Sequence, residues 1–307
     1  MKIKKILKKL KTPEYYLLSL DKIGLIRLND KKYLELYYKY KFGYRPDFEH
    51  PKTLNEKIQW MKLYYRKPIL PRLVDKATAK EEVAKIIGEK YIIPTIGVYD
   101  SFDNINFDEL PDQFVIKCTH DCASVILCRD KKDFDIEKAR KKITKALKVK
   151  YYGRIQREWV YSQIKPRIII EKFMANDKNE DIADYKFFCF NGEPTIMYIS
   201  KGLENHATAS ISFADMDYQI SDIKRADYKA LKELPPKPKS FEEMKRIAKK
   251  LSKDFPQVRV DFYEVKGKPY FGELTFYTCG GMIEWEKREY DERLGKMLEL
   301  PEKYVSA

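Results

Sequence analysis

The chain has 307 residues, 44% of them hydrophobic and 35% charged, enough for two or three subdomains with cores of their own. Its net charge of +14 is lopsided, because residues 1–75 hold 19 Lys and Arg against 8 Asp and Glu and leave only +3 for the remainder. No run of about 18 apolar residues occurs, which excludes a transmembrane helix, and the lysine-rich start has too short an apolar stretch for a secretory signal.

Residues 1–11 set Ile3, Ile6, Leu7 and Leu10 at i, i+3, i+4 and i+7 among six lysines, the pattern of a basic amphipathic helix. It reads either as an attachment to an anionic membrane surface or as a solvated helix packed on its own domain. A tyrosine-rich helix is expected over 31–42, then a loop at Pro46 and Pro51. Thr53 and Glu56 form a capping-box signature for a helix reaching about Tyr65, which Pro68 and Pro71 should stop. Asp75 should cap a helix over 76–87 that Gly88 closes.

Strands then alternate with helices: strands at 114–118 and 125–128, a charged helix over 135–148, and strands at 167–171, 185–190 and 195–199. Asn191-Gly192 is a hairpin signal between the last two. Residues 229–239, with Pro235, Pro236 and Pro238, read as a linker before a helix over 241–251. A hairpin over 258–265 and 270–276, turning through Gly267, ends the series. Cys118, Cys122, Cys128, Cys189 and Cys279 form no CxxC pair, and none of the three histidines stands at ligand spacing. Reduced thiols in a cytoplasmic protein are expected, without a zinc site.

That last hairpin carries the most chemistry. Arg259 and Asp261 share one strand face, as do Glu273 and Thr275. If the turn pairs Lys266 with Lys268, Asp261 lies opposite Glu273 and Arg259 opposite Thr275, with opposed Cβ atoms about 4.5–5.5 Å apart. Two carboxylates so close repel unless a cation such as Mg²⁺ sits between them, and a one-residue slip would put them on opposite faces. Lys117 ends an apolar strand, where it either snorkels to solvent or offers a point charge to phosphate. Lys76 occupies a helix's first turn, where the macrodipole disfavours a cation unless an anion binds there.

Eight separated stretches resemble the ATP-grasp superfamily, in its TupA-like branch of bacterial surface-polysaccharide clusters: 53–60 (TLNEKIQW), 74–80 (VDKATAK), 114–118 (FVIKC), 157–159 (REW), 166–171 (PRIIIE), 184–192 (DYKFFCFNG), 258–261 (VRVD) and 271–276 (FGELTF). The resemblance spans roughly 50–300. It implies an α+β ATP-grasp fold, two α+β subdomains gripping ATP, behind a basic helical N-terminal segment (1–50). The expected division is a helical pre-grasp region (51–112), a lid subdomain (113–175) and a C-terminal subdomain with the metal site (176–307).

By that resemblance Lys76, Lys117 and Lys186 hold ATP phosphates, with His120 in a lid loop over them. Glu171 starts the adenine hinge with backbone at Lys172 and Phe173, and Asp184 touches the ribose. Asp261, Glu273 and Thr275 are the Mg²⁺ ligands, and Arg259, with Lys186, serves the transferred phosphoryl and the developing oxyanion. The implied reaction joins a carboxylate to an amine through an acyl phosphate. The acceptor would be a glycan or lipid-linked glycan, such as a uronic acid unit, and the amine an amino acid. The protein would be cytoplasmic, or peripheral at the inner membrane face through residues 1–11.

Two positions depart from the family pattern. The lid reads His120-Asp-Cys-Ala-Ser124 without glycine, so fewer backbone donors are freely placed, and Thr275 stands where many ATP-grasp enzymes have asparagine. Asp215-Met-Asp217 is a DxD tripeptide of the glycosyltransferase kind, although no buried strand is expected before it. Net charge and 23 tyrosines suggest nucleic-acid stacking, but the basic excess sits at the front and no nucleic-acid motif occurs, so no nucleic-acid partner is expected. An ATP-grasp kinase of a sugar hydroxyl would look the same in sequence.

Overall fold

The computed structural model describes residues 12–121, 124–149, 156–175, 183–201 and 210–304. The amphipathic segment 1–11 and the lid positions Cys122 and Ala123 lie outside them. The helices among the described residues are α1 (Pro13–Lys22), α2 (Asp30–Phe42), α3 (Leu54–Tyr64), α4 (Leu70–Val74), α5 (Lys76–Ile87), α6 (Ile136–Leu147), α7 (Phe241–Ser252) and α8 (Arg288–Met297). The strands are β1 (Thr95–Tyr99), β2 (Phe114–Cys118), β3 (Ile126–Cys128), β4 (Ile168–Lys172), β5 (Asp184–Phe190), β6 (Glu193–Lys201), β7 (Ser210–Asp215), β8 (Gln257–Val265) and β9 (Lys268–Thr275). The chain divides into two compact units, neither of them a single continuous run of sequence.

The first unit comprises 1–68, 150–162 and 277–307. Its α3 starts on the expected capping box, the Thr53 hydroxyl accepting from the Glu56 N–H and the Glu56 carboxylate accepting from the Thr53 N–H. The Asn55 side chain and N–H both donate to the buried Asp291 of α8 at 2.9 and 3.0 Å. Lys62 is fully buried and satisfied, donating to Gln59 Oε1, Gln156 O and Gly280 O. Burial lowers its ammonium to about 8. These contacts explain why the 53–60 motif is polar on a face that is buried.

The second unit comprises 69–149 and 163–276 and holds both sheets. The smaller is antiparallel with order β1-β4-β2-β3, the larger antiparallel with order β7-β6-β5-β8-β9. One face of the smaller sheet, with Phe114, Ile116, Cys118, Ile168 and Ile170, packs on Ala139 and Ile143 of α6. One face of the larger sheet is closed by α7, where Phe187 lies 5.8 Å from Phe241 and 5.6 Å from Phe262. Because strand side chains alternate, the opposite faces are left for polar residues.

Pro71 is not a stop signal: it sits in the first turn of α4, where its missing N–H costs nothing. Five elements were not foreseen: α1, α4, β1, β7 and α8. Of these, β1 exposes the apolar Ile96 and Val98, two residues apart, so it lacks the apolar-in, polar-out alternation that marks a strand in sequence.

The last hairpin differs from expectation in its turn. Val265, not Lys266, pairs with Lys268, so the loop is the two residues Lys266 and Gly267, both at positive φ. A bulge between Asp261 and Phe262 then skips Gly272 and restores the register, so that Asp261 does face Glu273 and Arg259 faces Thr275. Gly272 fits there because a Cβ would stand 3.1 Å from both the Asp261 carbonyl and the Tyr263 ring. Gly272→Ala is therefore expected to cost about 1–2 kcal/mol in denaturant unfolding. An unchanged midpoint would show that the bulge can open without loss.

Candidate active site

On the open face of the larger sheet, β5, β8 and β9 bring one row of residues into register: Lys186 opposite Asp261 opposite Glu273. One step along, Phe188 faces Arg259, which faces Thr275. Lys186 reaches Asp261 at 2.5 Å and also pairs with Asp184 on its own strand. Arg259 grips both oxygens of Asp261 at 2.6 Å and reaches Glu273 Oε1 at 2.8 Å. The Thr275 hydroxyl donates to the same Oε1 at 3.1 Å. The two carboxylates are thus opposed as expected, and the cation that bridges them is the Arg259 guanidinium.

The charges are strongly coupled. Burial disfavours ionised Lys186 and Arg259, but the carboxylates around them outweigh it and hold both well above their ordinary range. Burial also pushes Glu273 upward, yet Arg259, Lys76, Lys186 and the Thr275 hydroxyl together bring it down to about 2. Asp184 goes the other way: burial, with Asp261 nearby, raises its carboxyl despite Lys186. Asp261 is 1% exposed, whereas the Glu273 side chain is 38% exposed. Glu273 therefore offers carboxylate surface outward and Asp261 anchors the row.

The smaller sheet carries a second cluster. Lys117 on β2 lies diagonally from Glu171 on β4 and pairs with it at 2.5 Å. Lys80 of α5 binds the same carboxylate and donates to Ile93 O and Thr95 Oγ1. Burial opposes ionisation of Glu171, but Lys117 and Lys80 hold it below the ordinary carboxylate range. Lys80 is the site residue that sequence reading missed. Its signal was its spacing: it stands one helical turn after Lys76 on the same face of α5, about 6 Å along the axis. So α5 sends one lysine to Glu171 and another toward Glu273. Lys80→Ala should leave Glu171 buried with one cation, costing about 3–5 kcal/mol of stability, with Lys80→Arg recovering part of it in thermal unfolding. Equal stability of the alanine variant would mean that Lys117 alone neutralises Glu171.

The remaining expected residues fall as follows. Lys76 begins α5 behind its Asp75 cap, and its ammonium donates to the Asp121 carbonyl in the loop after β2. A backbone carbonyl thus meets the cation at this helix start. His120 is buried, with backbone at Ala146 and Val149 beside it, and burial holds it below its ordinary value. The Lys172 N–H donates to Pro94 O at 2.9 Å, and the Arg129 guanidinium stands 5.3 Å from the Phe173 ring. The DxD tripeptide does follow a buried strand, β7, contrary to expectation. Its Asp215 accepts from the Asp217 and Gln219 N–H groups at 3.0 and 2.8 Å and so folds a turn.

No group of three or more His, Cys, Asp or Glu side chains among the described residues could hold a metal by itself. Magnesium in nucleotide sites needs less, one or two carboxylates plus phosphate oxygens. The exposed Glu273 carboxylate supplies a hard oxygen donor of that kind with the Thr275 hydroxyl beside it, and Asp261 would join them by giving up its Arg259 contact, so the residues fit.

Two antiparallel sheets in one unit, each presenting lysines against carboxylates on its open face, define an ATP-grasp fold. The chain belongs to the TupA-like ATP-grasp family, whose family model matches residues 56–299. Among solved structures it is similar to a D-alanine–D-alanine ligase from Bacillus anthracis (16% identity, 66% of this chain and 57% of that chain, TM-score 0.36). It is also similar to a D-alanine–D-alanine ligase from Helicobacter pylori (15%, 80% and 69%, TM-score 0.40). A third likeness is to an L-amino acid ligase from Bacillus licheniformis (12%, 74% and 49%, TM-score 0.42). The chain spans little more than half the length of the first of these. No curated protein sequence matches it. The family assignment rests on the 56–299 match, not on these distant likenesses.

Proposed function

We propose that the chain binds Mg·ATP on the open faces of the two sheets and uses it to join a carboxylate to an amine. The observation that carries this reading is the register Lys186–Asp261–Glu273, bridged by Arg259 and bearing on Lys76 from α5. Phosphoryl transfer asks chiefly for positioning and charge neutralisation, and this row combines fixed cations with carboxylate oxygens. Lys76, Lys117 and Lys186 would hold the phosphates, and Asp184 the ribose. Glu171 orients Lys117 from below, while backbone at Lys172 and Phe173 would edge the adenine; His120, though buried, belongs to the loop that would cover the phosphates. Asp261, Glu273 and Thr275 would hold Mg²⁺, which neutralises phosphate charge when bound.

In this reading the acceptor carboxylate attacks the γ-phosphorus, breaks its bond to the ADP oxygen and becomes an acyl phosphate. The amine then adds to that carbonyl and phosphate leaves. Arg259, locked in place by Asp261 and Glu273, is preorganised to meet the developing oxyanion. The acceptor is proposed to be a glycan or lipid-linked glycan bearing a uronic acid, and the amine an amino acid. The resemblance of the eight sequence stretches to the TupA-like branch is what suggests this substrate class. At the inner membrane face, the basic segment 1–11 would meet anionic lipid.

Hydroxylamine trapping tests the chemistry. Incubation with Mg·ATP and uronic acid oligosaccharides should release ADP and, with hydroxylamine present, form a hydroxamate. ADP release accompanied by a stable phosphate ester and no hydroxamate would make the protein a kinase instead.

A further inference from the structure

The N-terminal end of the first unit carries an apolar surface that no described residue of that unit covers. Tyr16, Leu20 and Ile23 stand at i, i+4 and i+7 along α1 and past its end, and so form one stripe. Tyr16 is 57% exposed, Ile23 69% and Leu25 70%. The helix ends in a Schellman motif, with the Gly24 N–H donating to Asp21 O and the Leu25 N–H to Leu20 O, and Gly24 at φ +81°. In that motif the residue after the glycine normally folds back onto the last turn. Here Leu25 projects outward.

The charges beside the stripe have one sign. Both acids of α1 are consumed internally: Glu14 pairs with Lys39 at 2.6 Å, and Asp21 accepts from the Leu28 N–H at 2.8 Å and pairs with Arg157 at 2.7 Å. Lys22 and Arg27, flanking the exposed turn, are both exposed. Neither appears in an ion pair among the described residues. Over residues 12–45 the sequence holds 7 Lys and Arg against 4 Asp and Glu. A tyrosine and two aliphatic side chains at a tip rimmed by cations match the interface of an anionic bilayer, where the apolar groups enter the headgroup boundary and the cations meet phosphate.

We infer that α1 and the turn Ile23-Gly24-Leu25 form a membrane-docking surface for anionic lipid. The surface needs neither residues 1–11 nor the proposed ligase chemistry. The full chain should sediment with phosphatidylcholine vesicles that contain phosphatidylglycerol and not with phosphatidylcholine alone. The double variants Ile23→Ser with Leu25→Ser, and Lys22→Glu with Arg27→Glu, should each weaken that binding at least about tenfold. The thermal shift with Mg·ATP should stay as in the parent, so a missing ATP shift with intact vesicle binding would count against the ligase reading alone. Absent binding to the anionic vesicles, or binding unchanged in both double variants, would overturn the inference. So would a dimer in analytical ultracentrifugation that the serine variant dissociates, because a second copy would then be what covers the stripe.

Discussion

Replacing Glu273 by glutamine is expected to lower ADP formation by about 10²–10³-fold while the protein stays folded. Glutamine keeps the shape and one oxygen, so the Arg259 and Thr275 bonds to Oε1 survive in neutral form, but the outward charge is lost. The same variant has a pH signature. Glu273 is held at about 2 against an ordinary 4.5, so its folded-state carboxylate is depressed. Its contribution to stability is complete above about 4.5 and is lost as pH falls toward 2. The parent should lose stability across that interval, and Glu273→Gln should lose less of it in acid unfolding. An equally active variant with the parent's acid profile would remove Glu273 from the site.

Arg259→Ala carries a large expected effect on both the fold and the activity. The guanidinium is the group that lies between Asp261 and Glu273. Without it Asp261, 1% exposed, keeps Lys186 as its cation while facing a second carboxylate across the ladder. The expected loss is about 3–5 kcal/mol in denaturant unfolding, together with loss of ADP formation. Arg259→Lys should restore part of the stability, since a charge returns, but little of the activity, because an ammonium cannot reproduce a two-pronged grip. Parent-like stability of the alanine variant would mean that Lys186 suffices, and that Arg259 is not what holds the row together.

Much of this arrangement was legible from residue spacing. The capping box at Thr53, the Asp75 cap with its Gly88 end, and the strands at 185–190 and 258–265 each reflect local rules that tertiary contacts did not override. The opposition of Asp261 and Glu273 was also foreseen, but through a turn of Gly267 alone. The molecule reaches the same pairing with a two-residue turn and a bulge at Gly272, and a glycine alone does not announce which of these it serves. Lys80 escaped because one buried lysine in an amphipathic helix looks like any other until Glu171 arrives from a strand about ninety residues away. The same holds for Arg259 as the bridging cation: pairwise strand register shows which side chains face each other, not which of three nearby cations lies between them. The family resemblance supplied roles for ATP, yet no spacing rule tells an adenine edge from a sheet edge at Lys172 and Phe173.

The most direct test of the account is thermal unfolding with Mg·ATP, with ATP and EDTA, and with a panel of sugar nucleotides. A ligand at about 100 times its dissociation constant adds about 2.7 kcal/mol, a shift readily seen. The account predicts a Mg²⁺-dependent rise in Tm with ATP that Lys117→Ala abolishes. A rise with a sugar nucleotide and none with ATP would contradict it.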